Sequence, residues 1–278
     1  GGAYVIFKTY AANAFGQYML ITGNDTRNGG GTRNWKSWKI YGATFTDDND
    51  ATSTSTEWTL IDEKTDIGQD RLPAANFAPA YFNFSTSWPG YTHFKILVES
   101  CYSGTLQQMA EFKFLSDTEY AAISQGKYAE LATLGMSLSG QFEALDISDE
   151  LKTQIMNTAM TKINAVATAT ADELLPKYND ALNYINVEAP ALIAQAQLPE
   201  LVDGVYQLST ATHVKSFADL VKAGNNDLKA VLLNDIDLSK VITNDAWTSI
   251  GTNDVPFKGS FDGQEYTISG ITYTATGQ

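Results

Sequence analysis

The sequence predicts a multidomain chain: a β-sandwich, then a three-helix bundle, then a region of short strands around one helix. Three observations carry this. Residues 1–115 alternate apolar and polar positions in short runs broken by Gly, Pro, Asn and Asp. Residues 116–200 turn to Ala, Leu, Glu and Lys, with apolar positions at helical spacing. From residue 201 short strand-like runs return, separated by glycines. At 278 residues the chain is long enough for two or three domains.

In the first region, Arg33-Asn34-Trp35-Lys36-Ser37-Trp38-Lys39-Ile40-Tyr41-Gly42 reads as a polar turn entering a strand. Trp38 and Ile40 fall on one face, Lys39 and Tyr41 on the other. Glu57 to Asp62 repeats the aromatic-then-aliphatic spacing, and Tyr81–Phe84, Phe94–Val98 and Ala110–Phe114 follow. Tyr4–Phe7 and Tyr18–Ile21 are the strands upstream. Strand alternation assigns both Trp38 and Trp58 to the core. Thr22-Gly23-Asn24-Asp25-Thr26, Arg33-Asn34, Trp38-x-Ile40-Tyr41-Gly42 and Trp58-x-Leu60 together resemble the discoidin family, the coagulation factor 5/8 type C or galactose-binding-like jelly roll. The resemblance covers about the later two-thirds of such a domain, which reads as N-terminally incomplete. It implies a β-sandwich jelly roll that recognises rather than catalyses; in sugar-binding members, loops at one end of the sandwich supply the ligand groups.

In the second region, Ser148 before Asp149-Glu150-Leu151 is a helix start: a hydroxyl cap followed by acids that the N-terminal dipole favours. Leu151, Ile155, Ala159, Ile163 and Val166 form its apolar stripe. A second helix starts near Asp172, with Pro176 expected in a first turn whose amides need no helical partner. Leu174, Tyr178, Ala181, Leu182 and Ile185 form its stripe. A third helix lies between Asp117 and Leu145, weakened by Gly126, Gly135 and Gly140. Short loops between three such helices argue for an up-down-up bundle, similar to the helical spacers of bacterial surface proteins.

In the third region, Gly204–Leu208 reads as a strand and His213–Ala223 as a helix with Phe217, Leu220 and Val221 inward and Gly224 as its stop. Asn234-Asp235-Ile236-Asp237-Leu238 and Phe257-Lys258-Gly259-Ser260-Phe261-Asp262-Gly263 follow. This pairing resembles the opening rungs of right-handed parallel β-helices, including GLUG-type repeats, over about residues 202–273. In such a fold Phe257, Phe261 and Ile268 fill the interior. A rung cannot bury its own face, so the reading expects further rungs beyond Gln278. The expected domains are therefore 1–115, a discoidin-like sandwich; 116–200, a helical spacer; and 201–278, a β-helix entry segment.

Hydrophobic residues make up 44% of the chain and charged ones 18%, which suits a packed core. The formal charge of -14, from 32 acidic and 18 basic residues, repels phosphate backbones and argues against nucleic-acid binding. No apolar run approaches bilayer-spanning length. Cys101 stands alone and forms neither an internal disulfide nor a thiolate metal cluster; it reads as a filler at a strand end. Asp47-Asp48-Asn49-Asp50 resembles the opening of a calcium loop, but the glycine and distal glutamate of an EF-hand are missing, position 58 being Trp. Calcium thus has no complete motif, no metal ligand is assigned, and the run reads as a solvated hairpin. Asn234-Asp235-Ile236-Asp237 suits side-chain to backbone bonds at a strand corner rather than paired-acid hydrolysis. The chain carries no nucleophile elbow, phosphate loop or dinucleotide fingerprint, so no catalytic residue is assigned.

Two loop regions carry candidate ligand chemistry. Trp88, Tyr91 and His93 lie in one turn, where packing demands aromatics less than in a strand. Sugar rings stack their C–H faces on such aromatics, and their hydroxyls need fixed donors and acceptors. The competing reading folds Trp88 inward as a plug of the sandwich end. Asn24, Asp25, Arg27, Arg33 and Trp35 form the second region; an Asx turn and an internal Arg33–carboxylate pair account for most of it, with Trp35 the member most readily exposed. His213, opening a helix, reads as a cap or as surface. The candidate ligand-binding residues are Trp88, Tyr91, His93, Trp35 and Arg33.

These readings imply a secreted or cell-surface carbohydrate-binding or adhesion protein, its partner a glycan or host-surface ligand, with no transmembrane segment in this chain. The combination resembles cell-surface proteins of Bacteroidetes-type gut bacteria. One alternative is an accessory region of a polysaccharide-degrading enzyme whose active site lies on later rungs. The other is an architectural stalk.

Overall fold

The computed structural model describes residues 2–28, 31–142, 145–242, 247 and 249–272. Contacts divide the chain into two compact units: residues 1–132 with 161–181, and residues 133–160 with 182–278.

In the first unit, one antiparallel sheet runs β1 (Ala3–Asn13), β6 (Tyr91–Cys101), β3 (Trp35–Ala43) and β4 (Thr59–Lys64). A second runs β5 (Pro79–Asn83), β2 (Gln17–Ile21) and β7 (Glu111–Leu115). Period-two patterning sets their inner faces: Tyr18 and Leu20, Trp38 and Ile40, and Phe94, Ile96 and Val98 are buried. The faces meet through rings. Trp38 stands edge-on to Phe82 at 5.0 Å, and Phe94 meets Phe114 at 4.6 Å. This is the expected antiparallel sandwich. Trp58 departs from expectation: it precedes β4, is half-buried, donates Nε1–H to Thr52 O at 2.7 Å and lies under Lys95. Alternation runs one residue past the strand, and an indole with a local acceptor needs no place in the core.

One polar network crosses the sandwich. Trp38 Nε1–H donates to Tyr18 Oη at 2.8 Å, and Tyr18 O–H donates to Asp62 Oδ2 at 2.7 Å. Asp62, 1% exposed, also takes Lys64 Nζ at 3.0 Å, the Ser85 N–H at 2.9 Å and the Ser85 hydroxyl. Burial, then the Asp62 charge, pushes the Tyr18 phenol well above its ordinary value.

Helices follow at α1 (Asp117–Gln141), α2 (Asp149–Ala167) and α3 (Ala171–Asn183), with residues 117–132 and 161–181 in the first unit. The α2 stripe is buried at Ile155, Ala159, Ile163 and Val166. Ser148 Oγ accepts the Leu151 N–H as expected. Pro176 is corrected: Thr170 caps α3, so Pro176 lies inside the helix, past the first turn. Asn83 Oδ1 accepts the Ala171 N–H, and Arg71 pairs with Asp172.

Two capping boxes, Ser116–Glu119 and Thr170–Glu173, start α1 and α3. Glu119 is held at about 2 by the Ser116 amide, then by Lys113; Glu173 is held at about 2 by the Thr170 amide, then by Lys177. Folded values below the ordinary 4.5 contribute stability above it that is lost as pH falls toward 2. A Glu119→Gln/Glu173→Gln variant is therefore expected to melt below the parent near neutral pH, with the gap closing on acidification; a gap independent of pH in calorimetry contradicts the assignment. Gly126 and Gly140 sit in α1 with nothing within 4 Å of an added Cβ. Alanine at each is expected to stabilise by about 0.5–1 kcal/mol, read by urea unfolding.

The second unit holds residues 133–160 of α1 and α2, then a π-turn at Tyr184–Glu188 and α4 (Ala189–Ala196). Hairpin strands β8 (Glu200–Val202) and β9 (Val205–Leu208) are joined by Asp203-Gly204, both at positive φ. After α5 (Ala211–Lys222) come β10 (Lys229–Leu232), β11 (Ile236–Asp237), β12 (Ser260–Asp262) and β13 (Ile268–Ser269). β9, β10 and β12 pair in parallel, as do β11 and β13. Phe217 and Val221 face this core with Phe257, Phe261 and Ile268 packed on it; Leu220 is half-buried. A Cβ at Gly259 would collide with Leu228 O, which is why the β12 entry takes glycine. Asp235 Oδ1 accepts the Thr267 N–H at 2.7 Å, the expected corner bond. His213 bonds Ala196 O through Nε2 at 2.9 Å, while Thr210 caps α5. Among the described residues no helix is long and apolar enough to cross a membrane.

Candidate functional site

Strand direction separates the sequence-derived candidates onto two ends of the sandwich. Residues 22–28 and 31–34, with connections 65–78 and 102–110, meet at one end, tied by Gln108 N–H to Arg33 O at 3.0 Å, Tyr102 N–H to Asn34 O at 3.3 Å and Phe77 N–H to Gly23 O at 3.3 Å. Connections 14–16, 44–58 and 84–90 lie at the other, where Phe84 N–H donates to Gly16 O. Arg33 and Trp35 belong to the first end; Trp88, Tyr91 and His93 to the second.

At the second end Trp88 is turned inward, 7% exposed, and packs against Phe15, Phe84, Phe94 and Phe114. Tyr91 is half-buried and lies parallel on Trp88 at 5.8 Å, its ring over the Cα of Gly42, where a Cβ would strike it. His93 is 2% exposed: Nδ1 meets the Thr92 hydroxyl at 2.9 Å and Nε2 lies 3.2 Å from Asp48 Oδ1. Lys8, then His93, holds the Asp48 carboxyl below its ordinary value. Trp88 plugs the sandwich here, and Tyr91 keeps only part of its ring exposed. The acidic run beside it is a capped turn, with Asp47 Oδ1 accepting the Asn49 N–H at 2.9 Å. Among the described residues no three His, Cys, Asp or Glu groups converge on a metal position.

The first end is more open. A cavity of about 280 Å³ is lined by Asp25, Thr26, Asn28, Thr32 and Arg33. Arg33 Nη1 lies 2.5 Å from Asp25 Oδ2, the expected internal pair. Buried oxygens here lack a partner among the described residues: Asp25 Oδ1 and Thr26 Oγ1 in the lining, and Asn34 Oδ1 and Gln108 Oε1 elsewhere on these loops. Buried polar atoms are nearly always hydrogen-bonded, so the two in the lining are where an incoming donor gains most. Beside them Tyr102 donates O–H to Ile67 O, and burial pushes its phenol up to about 12. Trp35 is 8% exposed, leans on Trp38 at 6.0 Å and walls a separate apolar cleft with Val5, Phe7 and Phe112.

Sequence reasoning missed Phe77. It is 62% exposed with φ 50°, the left-handed region that an aromatic residue rarely enters. Asn76 Oδ1 accepts the Arg27 N–H at 2.6 Å, and Thr22 Oγ1 accepts the Ala78 N–H at 2.8 Å, so the loop is pinned on both sides of Phe77. Its only sequence signal is an aromatic in a connection without alternation, between Pro73 and Pro79.

No family model and no curated protein matches the chain. Among solved structures it is similar to the SusE-like protein BT2857, with TM-score 0.32 and 16% identity over 41% of this chain and 46% of that one. The family 32 carbohydrate-binding module from Streptococcus pneumoniae EndoD gives 0.28 and 12% over 41% and 69%. The CBM51-2 and INT domains from Clostridium perfringens ZmpB give 0.22 and 13% over 87% and 52%. The chain thus spans less than half the length of the first of these.

Proposed function

We propose that the chain binds carbohydrate at the sandwich end formed by residues 22–28, 31–34, 65–78 and 102–110. The observation that carries this is Phe77, exposed and held at φ 50° in a loop hydrogen-bonded to Gly23 and Arg27, on either side of the cavity residues Asp25 and Thr26. Backbone strain of this kind costs about 1–3 kcal/mol and persists where surrounding bonds impose it, typically at ligand sites. An aromatic face next to fixed polar atoms suits a sugar ring, whose C–H face stacks while its hydroxyls bond. Of the sequence-derived candidates, Arg33 belongs to this site.

The rest of the reading is built around that site. Residues 116–200 act as a helical spacer, and the parallel ladders from residue 205 begin a right-handed parallel β-helix. The protein works outside the cell or on its surface, as an adhesin-like binder of a glycan or host-surface ligand.

The test is a glycan array followed by isothermal titration on the whole chain. Thr26→Val removes a buried hydroxyl without a partner among the described residues, and is expected to weaken binding about tenfold. Trp88→Phe, at the opposite end, leaves affinity unchanged. An array with no ligand, or a ligand whose affinity follows Trp88 and ignores Thr26, refutes the proposal.

A further inference from the structure

The loop-end cavity also carries a charge preference, an inference that rests on the carbohydrate reading above. The unpartnered atoms of its lining are both oxygens, Asp25 Oδ1 and Thr26 Oγ1. The Asp25 oxygen can only accept a hydrogen bond, whereas the Thr26 hydroxyl can accept or donate. Arg33 is the only cation among the lining residues, and Asp25 meets its charge at 2.5 Å. Both partners stay open to water, with side-chain exposures of 44% and 40%, so the pair adds little to stability. Its larger consequence is electrostatic, because the lining keeps no unmatched positive charge. The formal charge of -14 works in the same direction.

We propose that this site takes a sugar residue bearing hydroxyl or ammonium donors and discriminates against the uronic acid of the same sugar. A carboxylate brought to this lining is repelled by the Asp25 carboxylate, and the one charged donor group there, Arg33, is already neutralised by that same Asp25. A hydroxyl has a proton to give. An ammonium has three, along with a charge opposite to that of Asp25. Arg27 is the competing feature. It follows Thr26 in sequence and is exposed, but it lies outside the cavity lining.

Isothermal titration of the whole chain with galactose against galacturonic acid, glucose against glucuronic acid, and glucosamine tests this. The neutral member of a pair is expected to bind about tenfold tighter than its uronic acid, with glucosamine at least equal to glucose. Asp25→Asn releases the Arg33 charge and is expected to narrow that gap about tenfold, with circular dichroism reporting an unchanged fold. A uronic acid that binds as tightly as its neutral partner overturns the preference and leaves carbohydrate binding standing. If Arg27→Ala then removes that binding, recognition belongs to Arg27. A gap unmoved by Asp25→Asn overturns the role of the ion pair. Binding by none of these sugars, nor by any ligand of the array, overturns both readings.

Discussion

Asp62→Ala is expected to destabilise the sandwich by about 3–5 kcal/mol, the largest effect of any single substitution considered. Asp62 is buried in full, and four donors from Tyr18, Lys64 and Ser85 converge on it. Its removal leaves Lys64, whose side chain is 10% exposed, as a buried cation. Two other groups still answer it, Asn83 O at 2.7 Å and Asp172 at 3.8 Å, so the loss should stop short of unfolding. Tyr18→Phe is the graded companion. It takes a donor from Asp62 and an acceptor from Trp38, at about 1–3 kcal/mol. Urea unfolding followed by tryptophan fluorescence measures both. An Asp62→Ala loss below that of Tyr18→Phe would contradict the view that the carboxylate organises the network.

Phe77→Gly separates stability from function. Glycine enters φ 50° without a Cβ clash, so the variant is expected to gain about 1 kcal/mol in unfolding free energy. It also deletes the exposed ring, and glycan affinity should fall at least about tenfold, the loss of one stacking face. Opposite signs from one substitution are hard to obtain by accident. A variant that is both less stable and fully binding would show Phe77 to be a packing residue. Calorimetry and titration on the same preparation read the two halves together.

Much of the sandwich was legible because its strands follow a local rule. Trp38 and Ile40 alternate with Lys39 and Tyr41, and one pair is buried while the other is not. Capping was equally local, as Ser148 shows. Trp58 and Pro176 failed by small offsets, since neither periodicity nor a cap residue defines an element's first position. The loops were less legible, for a different reason. Trp88 lies in a turn that left both an outward and an inward ring open; its inward orientation depends on nearby Phe94 and on Phe15 and Phe114, which are distant in sequence. Phe77 was invisible because its significance is a backbone angle imposed by Asn76, Thr22 and Gly23. The Arg33–Asp25 pair was readable, as both residues share one loop.

The most direct measurement is a sugar titration of the 15N-labelled chain followed by amide chemical shifts, using the tightest ligand from the array. Perturbations concentrated in residues 22–34, 73–78 and 102–110, saturating with a single dissociation constant, are the predicted result. Perturbations centred on residues 84–93, or in the second unit, would contradict it and move recognition away from Phe77 and its oxygen-lined cavity.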